Sequence, residues 1–275
     1  MFQPMNTSDD DTAKRKVLLY GHHGWGKTTQ LKYFQEEYGP GFIFSGESGL
    51  SSIRQAKIDC LPFSSWDDPS DQAKGVYSFR DIFKWTKTED FKKRGYKWIG
   101  IDSLTELSDL SYAHAEREQK DLADKLGKKH ADGFAVWGNH ASQLIGACKA
   151  IRDMNMHVIV TSLAKESTDD NGNVDYWAMV AGKATMQQLP GIFDCVFCGV
   201  RVTQEVEGRQ RVERYVITDE VRGWHGKVRD EKRRLKPVEK TGNIIDLLKR
   251  LDMDDAEYNK LCLLYTSPSP RDKCR

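Results

Sequence analysis

The sequence predicts an α/β fold: a mainly parallel central sheet with helices on both faces and a C-terminal antiparallel hairpin. Five short apolar runs have the length and the Val, Ile, Phe and Trp content of buried strands. Helical patterns separate most of them, and strands that alternate with helices form parallel sheets. The five predicted strands are residues 16–20, 41–45, 97–102, 157–162 and 195–202.

The remaining elements follow from periodicity and turn signals. Gly208 marks a turn between residues 196–206 and 211–218, which predicts the hairpin. Asn243 is placed to cap a short helix with apolar residues on one face. Two polar stretches, residues 127–138 and 165–183, are predicted to be mobile loops. The longer helices are predicted at residues 28–38, 103–126 and 140–154.

Both ends of the chain differ in character from the middle. Residues 1–14 lack the apolar segment of a secretion signal and are predicted to be a disordered arm. Residues 15–251 have the length of one sizeable domain. Residues 262–272 resemble a translated reading frame of a transposase sequencing adapter. On that resemblance, residues 262–275 are not native and 252–261 are the end of a truncated native C-terminus.

Composition limits the class of protein. Hydrophobic residues make up 39% of the 275 residues and charged residues 30%, and the formal net charge is +1. This balance argues against a uniformly basic nucleic-acid binder but leaves a local basic groove open. No apolar run is long enough to predict a membrane span. The cysteine spacing shows no disulfide framework, which predicts a reducing cytoplasm.

The first strand leads into a glycine-rich loop. Residues 21–28 read Gly-His-His-Gly-Trp-Gly-Lys-Thr, which fits the phosphate-loop pattern. Glycines let successive N–H groups converge on phosphate oxygens, Lys27 reaches the β- and γ-phosphates, and Thr28 coordinates Mg²⁺. Trp25 is predicted to be an exposed loop tip, with a cover over the nucleotide or a contact to a neighbouring subunit as the alternatives. The candidate nucleotide-binding residues are Gly21, His22, His23, Gly24, Trp25, Gly26, Lys27, Thr28 and Thr29.

Two acidic residues follow predicted strands. Asp102 ends an apolar strand, where it would hold the Mg²⁺ shell or cap the next helix. Glu47 follows the second strand, and the carboxyl ends of parallel strands line the ligand crevice, so it is the candidate to orient water. A solvated loop acid is the alternative for Glu47, and Glu106 is the second candidate base. Thr161 and Ser162 end another strand and could sense the γ-phosphate, or they could simply be buried hydroxyls at a strand end.

The order of these parts resembles the phage and prophage RecA-like ATPases, which are AAA-domain nucleotide-binding proteins. The resemblance spans about residues 15–235. Its more particular features are Glu47 after the second strand, the Leu-Pro-Gly-Ile-Phe-Asp run at residues 189–194, and the late Lys227-Val228-Arg229. Leu163 departs from the pattern, because the family often has a histidine in that slot.

The resemblance implies a RecA-like sandwich that binds ATP and Mg²⁺ and in which Glu47 activates water. It implies that Lys227 and Arg229 reach the γ-phosphate of a neighbouring subunit in a homo-oligomeric ring or filament, although a solvated basic segment is the alternative. It also implies that residues 127–138 and 165–183 contact single-stranded DNA. Their cations and aromatic residues are Lys128, Lys129, His130, Phe134, Trp137, Tyr176, Trp177 and Lys183.

The function implied by the resemblance is ATP hydrolysis in phage DNA recombination or single-strand annealing, inside the bacterial host. A P-loop kinase for a small molecule is one alternative. It would need an arginine-bearing lid, and residues 165–183 contain no arginine. A non-hydrolysing module in which ATP orders an oligomer is the other alternative, and a Glu47 that points away from the phosphate loop would favour it.

Overall fold

The computed structural model describes residues 14–47, 49–168, 171–206 and 208–266. Within them, twelve strands form the sheet and its extensions. The strands are β1 (Lys16–Gly21), β2 (Gly41–Ser45), β3 (Asp59–Pro62), β4 (Trp98–Asp102), β5 (His157–Thr168), β6 (Val174–Ala178), β7 (Cys195–Val206), β8 (Arg209–Ile217), β9 (Glu220–Val221), β10 (Trp224–His225), β11 (Lys227–Val228) and β12 (Val238–Glu239).

Helices occupy most of the connections. They are α1 (Lys27–Tyr38), α2 (Phe79–Trp85), α3 (Glu89–Lys93), α4 (Leu104–Lys125), α5 (Gly133–Arg152), α6 (Lys183–Ile192), α7 (Ile245–Asp252) and α8 (Asp255–Thr266). Short 3₁₀ helices cover Gly49–Ala56 and Gln72–Lys74. None of the helices in the described part of the chain is both long enough and apolar enough to cross a bilayer.

The main sheet has the strand order β12-β8-β7-β1-β5-β4-β2-β3. The six strands from β7 to β3 along this order are parallel to their neighbours, whereas β8 and β12 are antiparallel. Parallel neighbours need crossover connections, and helices supply several of them here. The predicted fold, a mainly parallel sheet with an added hairpin, is confirmed.

Strand β1 lies at the centre of the core. Its residues are all buried, as expected of a strand covered on both faces. Leu18 and Tyr20 pack into one apolar cluster, which includes residues of α4, α5 and α6. Val17 and Leu19 pack into the other, which includes residues of α1 and α7. This alternation has the period of two that is expected of a strand. Because both faces of β1 are packed, the position at which the glycine-rich loop leaves the sheet is fixed.

The two stretches predicted to be loops are largely ordered elements, so that prediction was wrong. Residues 133–138 form the first turns of α5. Asp132 caps this helix by accepting hydrogen bonds from the N–H groups of Phe134 at 3.0 Å and Ala135 at 3.2 Å. Residues 165–168 extend β5 and pair with β6 as an antiparallel ribbon. Within the second stretch, residues 169 and 170 lie outside the described part.

The ends of the predicted elements shift by a few residues elsewhere. The N-cap residue of α7 is Ile244 and not the predicted Asn243, although the Asn243 side chain accepts a hydrogen bond from the N–H of Ile245, the first residue of the helix, at 3.0 Å. Most of the predicted N-terminal arm, residues 1–13, is outside the described residues. So are residues 267–275 of the segment that resembles an adapter.

Candidate nucleotide-binding site

The loop between β1 and α1 owes its shape to three glycines. Gly24 has φ 72° and Gly26 has φ 107°, values that side-chain-bearing residues rarely adopt. Gly21 meets a different constraint, because a Cβ atom there would lie 2.3 Å from the carbonyl oxygen of Gly199 on β7. The glycines of the phosphate-loop pattern are thus required by backbone conformation and by the close approach of β7.

Lys27 opens α1 and turns back onto the loop. Its Nζ donates hydrogen bonds to the carbonyl oxygens of Gly21 at 3.0 Å and His22 at 3.1 Å. Burial lowers the pKa of Lys27, while the charges of Glu47 and Asp102 oppose that shift. A phosphate would offer this ammonium stronger, charge-assisted hydrogen bonds than the two neutral carbonyls do.

Asp102 lies at the carboxyl end of β4 and is 2% exposed. Thr28 Oγ1 donates to Asp102 Oδ2 at 2.9 Å, and Thr161 on β5 donates to Asp102 Oδ1. Burial raises the pKa of Asp102, and the hydrogen bonds from Thr161 and Thr28 partly offset that rise. A hydroxyl beside a carboxylate is the oxygen-only donor pair that holds Mg²⁺ in P-loop proteins, so these residues fit that ion.

The sequence offered Asp102 as a cap of α4, but the residue that caps this helix is Ser103. Ser103 is the N-cap residue of α4, with its Oγ accepting from the N–H of Glu106 at 3.5 Å. The peptide bond between Asp102 and Ser103 is cis. The Asp102 carboxylate is therefore not needed to satisfy the helix terminus, and it lies between the hydroxyls of Thr28 and Thr161.

Glu47 lies beside Asp102, because β2 and β4 are neighbours in register at Ser45 and Asp102. Ser103 Oγ donates to Glu47 Oε1 at 2.5 Å, which fixes the carboxylate at the strand ends. The charge of Glu47 acts on the pKa of both Lys27 and Asp102. The structure therefore places Glu47 at the carboxyl ends of the strands, together with the phosphate loop.

Two further candidates border this group. Burial raises the pKa of Glu106, with smaller contributions from Asp109 and Glu47. A Cβ atom added at Gly46 would lie 2.9 Å from the Cβ of Glu106, so Glu106 also lies beside the strand ends. Ser162, by contrast, faces α4: its Oγ lies 3.2 Å from Thr105 Oγ1.

Trp25 is not the exposed loop tip that the sequence predicted. Its side chain is fully buried, and its Nε1 donates to the carbonyl oxygen of Tyr215 at 3.0 Å. The indole fits against Gly199, where a Cβ atom would lie 2.6 Å from Trp25 Cδ2. The loop is therefore anchored in the core, and only the backbone of Trp25 is available to a ligand.

The histidines and Thr29 complete the loop. His22 meets the ring of Trp224 edge-on, with a centroid distance of 5.3 Å, and it meets Tyr176 in the same way at 5.7 Å. His23 is exposed. Thr29 lies in the first turn of α1, and its Oγ1 would be 3.7 Å from a Cβ atom added at Gly26. The loop thus contacts the small sheet formed by β6, β9 and β10 through His22.

Lys227 and Arg229 lie at the other end of the sheet in the same chain. Lys227 pairs with Val196 of β7, and Gly21, the first residue of the phosphate loop, pairs with Gly199 of the same strand. At about 3.3 Å per residue, the two positions are roughly 10 Å apart along the strand. Lys227 Nζ donates to the carbonyls of Pro190 and Phe193 at 2.8 and 3.1 Å.

Arg229 also has a partner within its own chain. Its guanidinium forms an ion pair with Asp194 at 3.0 Å, and the Arg229 side chain remains 63% exposed. An exposed ion pair of this kind contributes little stability, so it leaves the guanidinium available to another anion. Neither cation of the Lys227–Val228–Arg229 segment reaches the phosphate loop of its own chain.

Two arginines that the sequence did not indicate lie beside the loop. Arg214 on β8 donates from Nε to the carbonyl oxygen of Trp25 at 2.8 Å. Arg201 on β7 has its Nη1 3.1 Å from a Cβ placed at Gly24. The signal that could have found Arg201 is its position shortly after Gly199, which pairs with the first glycine of the loop.

The fold and this site define a P-loop nucleoside triphosphatase. The profile of the AAA domain family AAA_24 matches residues 13–229, and the chain belongs to that family. A search of curated proteins found no match. Taken together, the phosphate loop and the family identify an ATP-binding P-loop NTPase.

A solved structure from a study of a prototypical ATPase of the type III secretion system of pathogenic bacteria is similar to part of the chain. The alignment has a TM-score of 0.37 and 17% sequence identity. It covers 68% of this chain and 52% of that one, so the chain spans about half the length of that protein.

Proposed function

We propose that the protein hydrolyses ATP with Mg²⁺ and couples turnover to single-stranded DNA, in phage recombination or annealing within the bacterial cytoplasm. One observation carries the enzymatic part: Lys27, Asp102 and Glu47 converge at the carboxyl ends of β1, β4 and β2. This is the edge at which open α/β sheets bind ligands. The recombination role rests on the resemblance to the phage ATPases.

Each residue of the group has a chemical task. The loop N–H groups and Lys27 bind the β- and γ-phosphates. Thr28 and Asp102 would hold Mg²⁺, which would neutralise charge on the phosphates. Glu47 orients the attacking water and accepts its proton, and the hydroxyl of Ser103 positions that carboxylate. Thr161 holds the second oxygen of Asp102, which keeps the metal ligand in one orientation.

The start of α5 offers the better surface for single-stranded DNA. Phe134 is 94% exposed and Trp137 is 46% exposed. The neighbouring Lys128 and Lys129 are also exposed. Single-strand binding needs aromatic faces for bases together with cations for the backbone, and this segment provides both.

In the second segment predicted to contact DNA, residues 165–183, the aromatic rings pack against other rings of the protein. Tyr176 stacks on Trp224 with ring centroids 4.4 Å apart, and Trp177 stacks on His225 at 3.6 Å. Their faces are therefore largely taken by protein rings. Lys183 stays exposed at the first turn of α6. Trp137 also has a protein partner, because its ring centroid lies 4.6 Å from that of Tyr112. We therefore propose that Phe134 stacks on bases and that Lys183 contributes only charge.

ATP turnover of the full chain, measured with and without single-stranded DNA, tests the proposal. Lys27→Ala should abolish nucleotide binding and turnover. Glu47→Gln should abolish turnover while ATP still binds, because the amide cannot accept a proton. Glu106→Gln is the matched control and should keep most of the activity.

Other outcomes would select the alternatives. ATP binding without turnover would favour a module in which nucleotide orders an oligomer. Turnover that ignores DNA but rises with a small-molecule acceptor would favour a kinase. Equal losses in Glu47→Gln and Glu106→Gln would remove Glu47 as the base.

A further inference from the structure

The hairpin of β7 and β8 runs past the phosphate loop. Gly199 lies opposite Gly21 in the register of β7 and β1, and Arg201 follows shortly after. Arg201 Nη1 would lie 3.1 Å from a Cβ atom at Gly24, so its guanidinium occupies the space that a side chain at Gly24 would fill. A cation therefore lies against the backbone of the loop that binds phosphates.

Arg201 is exposed, and the described residues give it no anionic partner. Arg201 is directly opposite Arg214 in the antiparallel register, and like charges placed opposite each other destabilise a strand pair. Arg214 is engaged with the carbonyl of Trp25 at 2.8 Å. Among the described residues no carboxylate forms an ion pair with Arg201, whereas Arg211 on the same hairpin pairs with Glu213 at 3.6 Å.

An anion bound at the loop would reduce the repulsion between the positive charges of Arg201 and Arg214. The loop N–H groups already favour negative charge, and arginine binds phosphate through two parallel hydrogen bonds. We propose that Arg201 binds the phosphates of the nucleotide held by the same chain. The proposal rests on nucleotide binding at residues 21–28, as the proposed function does, but it needs neither hydrolysis nor DNA.

The role of Arg201 differs from the role proposed for Lys227 and Arg229. Those two cations lie at the far end of the sheet and could reach only another subunit's nucleotide. Arg201 lies beside the loop of its own chain, so its contribution does not depend on assembly. The affinity that it adds should be the same at protein concentrations below and above the onset of oligomer formation.

Binding of a fluorescent ATP analogue to the nucleotide-free full chain tests this inference. Arg201→Gln should weaken binding about 10-fold or more, as expected for a charge-assisted hydrogen bond. Arg201→Lys should recover part of the loss, because it keeps the charge without the planar fork. Arg209→Gln is the control: Arg209 is exposed at the other end of the same hairpin and should change affinity less than twofold.

Competition by inorganic tripolyphosphate identifies the part of the nucleotide that Arg201 contacts. If Arg201 binds phosphates, Arg201→Gln weakens the competitor as much as it weakens ATP. A loss confined to ATP would place the contact on the base or ribose and overturn the proposal. So would equal affinities of Arg201→Gln and Arg209→Gln. If the wild-type chain binds no nucleotide, the proposed function fails first, and the two failures are thereby distinguished.

Discussion

Burial of the Asp102 carboxylate is the main unfavourable electrostatic feature of the site in the absence of a ligand. Its carboxylate is 2% exposed, and burial raises its pKa above the ordinary value of 3.8 in spite of two hydrogen bonds. A raised pKa means that the folded state binds more protons than the unfolded state over the range just above pH 4. The free energy of unfolding therefore falls as the pH rises through that range.

Asp102→Asn should raise the melting temperature of the nucleotide-free protein at pH 7, because it removes the buried charge and keeps the shape. The advantage should shrink as the pH falls, because Asp102 itself then takes up a proton. Thermal unfolding between pH 4 and 8, with a chelator present, measures this. Asp121→Asn, an exposed acid on α4, should show no such trend. A variant less stable than wild type at pH 7 would contradict the account.

The packing of Trp25 against Gly199 gives a second prediction. A Cβ atom at Gly199 would lie 2.6 Å from Trp25 Cδ2, so Gly199→Ala must displace the indole or the strand. We expect a loss of about 1–3 kcal/mol in the free energy of unfolding, measured with urea. Gly191→Ala is the control, because nothing lies within 4 Å of that added atom. Equal stability of the two variants would show that the loop is not anchored there.

At the scale of elements, the sequence predicted what burial dictates. Strands β1, β2 and β4 end within one residue of their predicted limits, because strands covered on both faces appear as continuous apolar runs. The glycines, Lys27 and Asp102 were placed by a fixed motif and by the end of an apolar strand. These features depend on local sequence alone.

One error arose at a local helix cap, and the others arose where distant residues decide the structure. The residues that precede α5 are polar, and Gly133 and Gly138 interrupt the helical pattern of its first turns, which begin at the Asp132 cap. Trp25 looked exposed because loops usually lie at the surface, yet Gly199, far along the chain, makes room for it. Arg201 could be placed only once the register of β7 against β1 was known.

The exposed first turns of α5 carry the prediction at this scale. Phe134→Ala should weaken binding of labelled single-stranded DNA by about 1–3 kcal/mol, the value of one base stacked on an aromatic ring. Its melting temperature should not change, because the side chain is 94% exposed. Leu126→Ala removes another exposed apolar side chain close in sequence and serves as the control. If fluorescence anisotropy gives the same affinity for both variants, α5 does not bind bases.

At the scale of the whole molecule, the phosphate loop and the cations of residues 227–229 lie at opposite ends of the sheet. The phosphate loop lies at the carboxyl end of β1, and Lys227 and Arg229 lie near its amino end. Two copies packed head to tail would bring the cations of one against the loop of the next. Such heterologous contacts build rings when they close and filaments when they do not. The proposed action in trans therefore requires assembly.

A mixing experiment tests this arrangement. Arg229→Ala leaves the phosphate loop intact, and Lys27→Ala leaves the cations intact, so each variant alone should be inactive. In an equal mixture, half of the subunits have an intact loop and the other half have an intact Arg229. If the subunits assemble head to tail at random, about a quarter of the contacts between them combine an intact loop with an intact Arg229. Turnover should recover to that fraction of the wild-type rate. Full activity of Arg229→Ala alone would instead assign residues 227–229 to a solvated basic segment, and a mixture that stays inactive would rule out action across subunits.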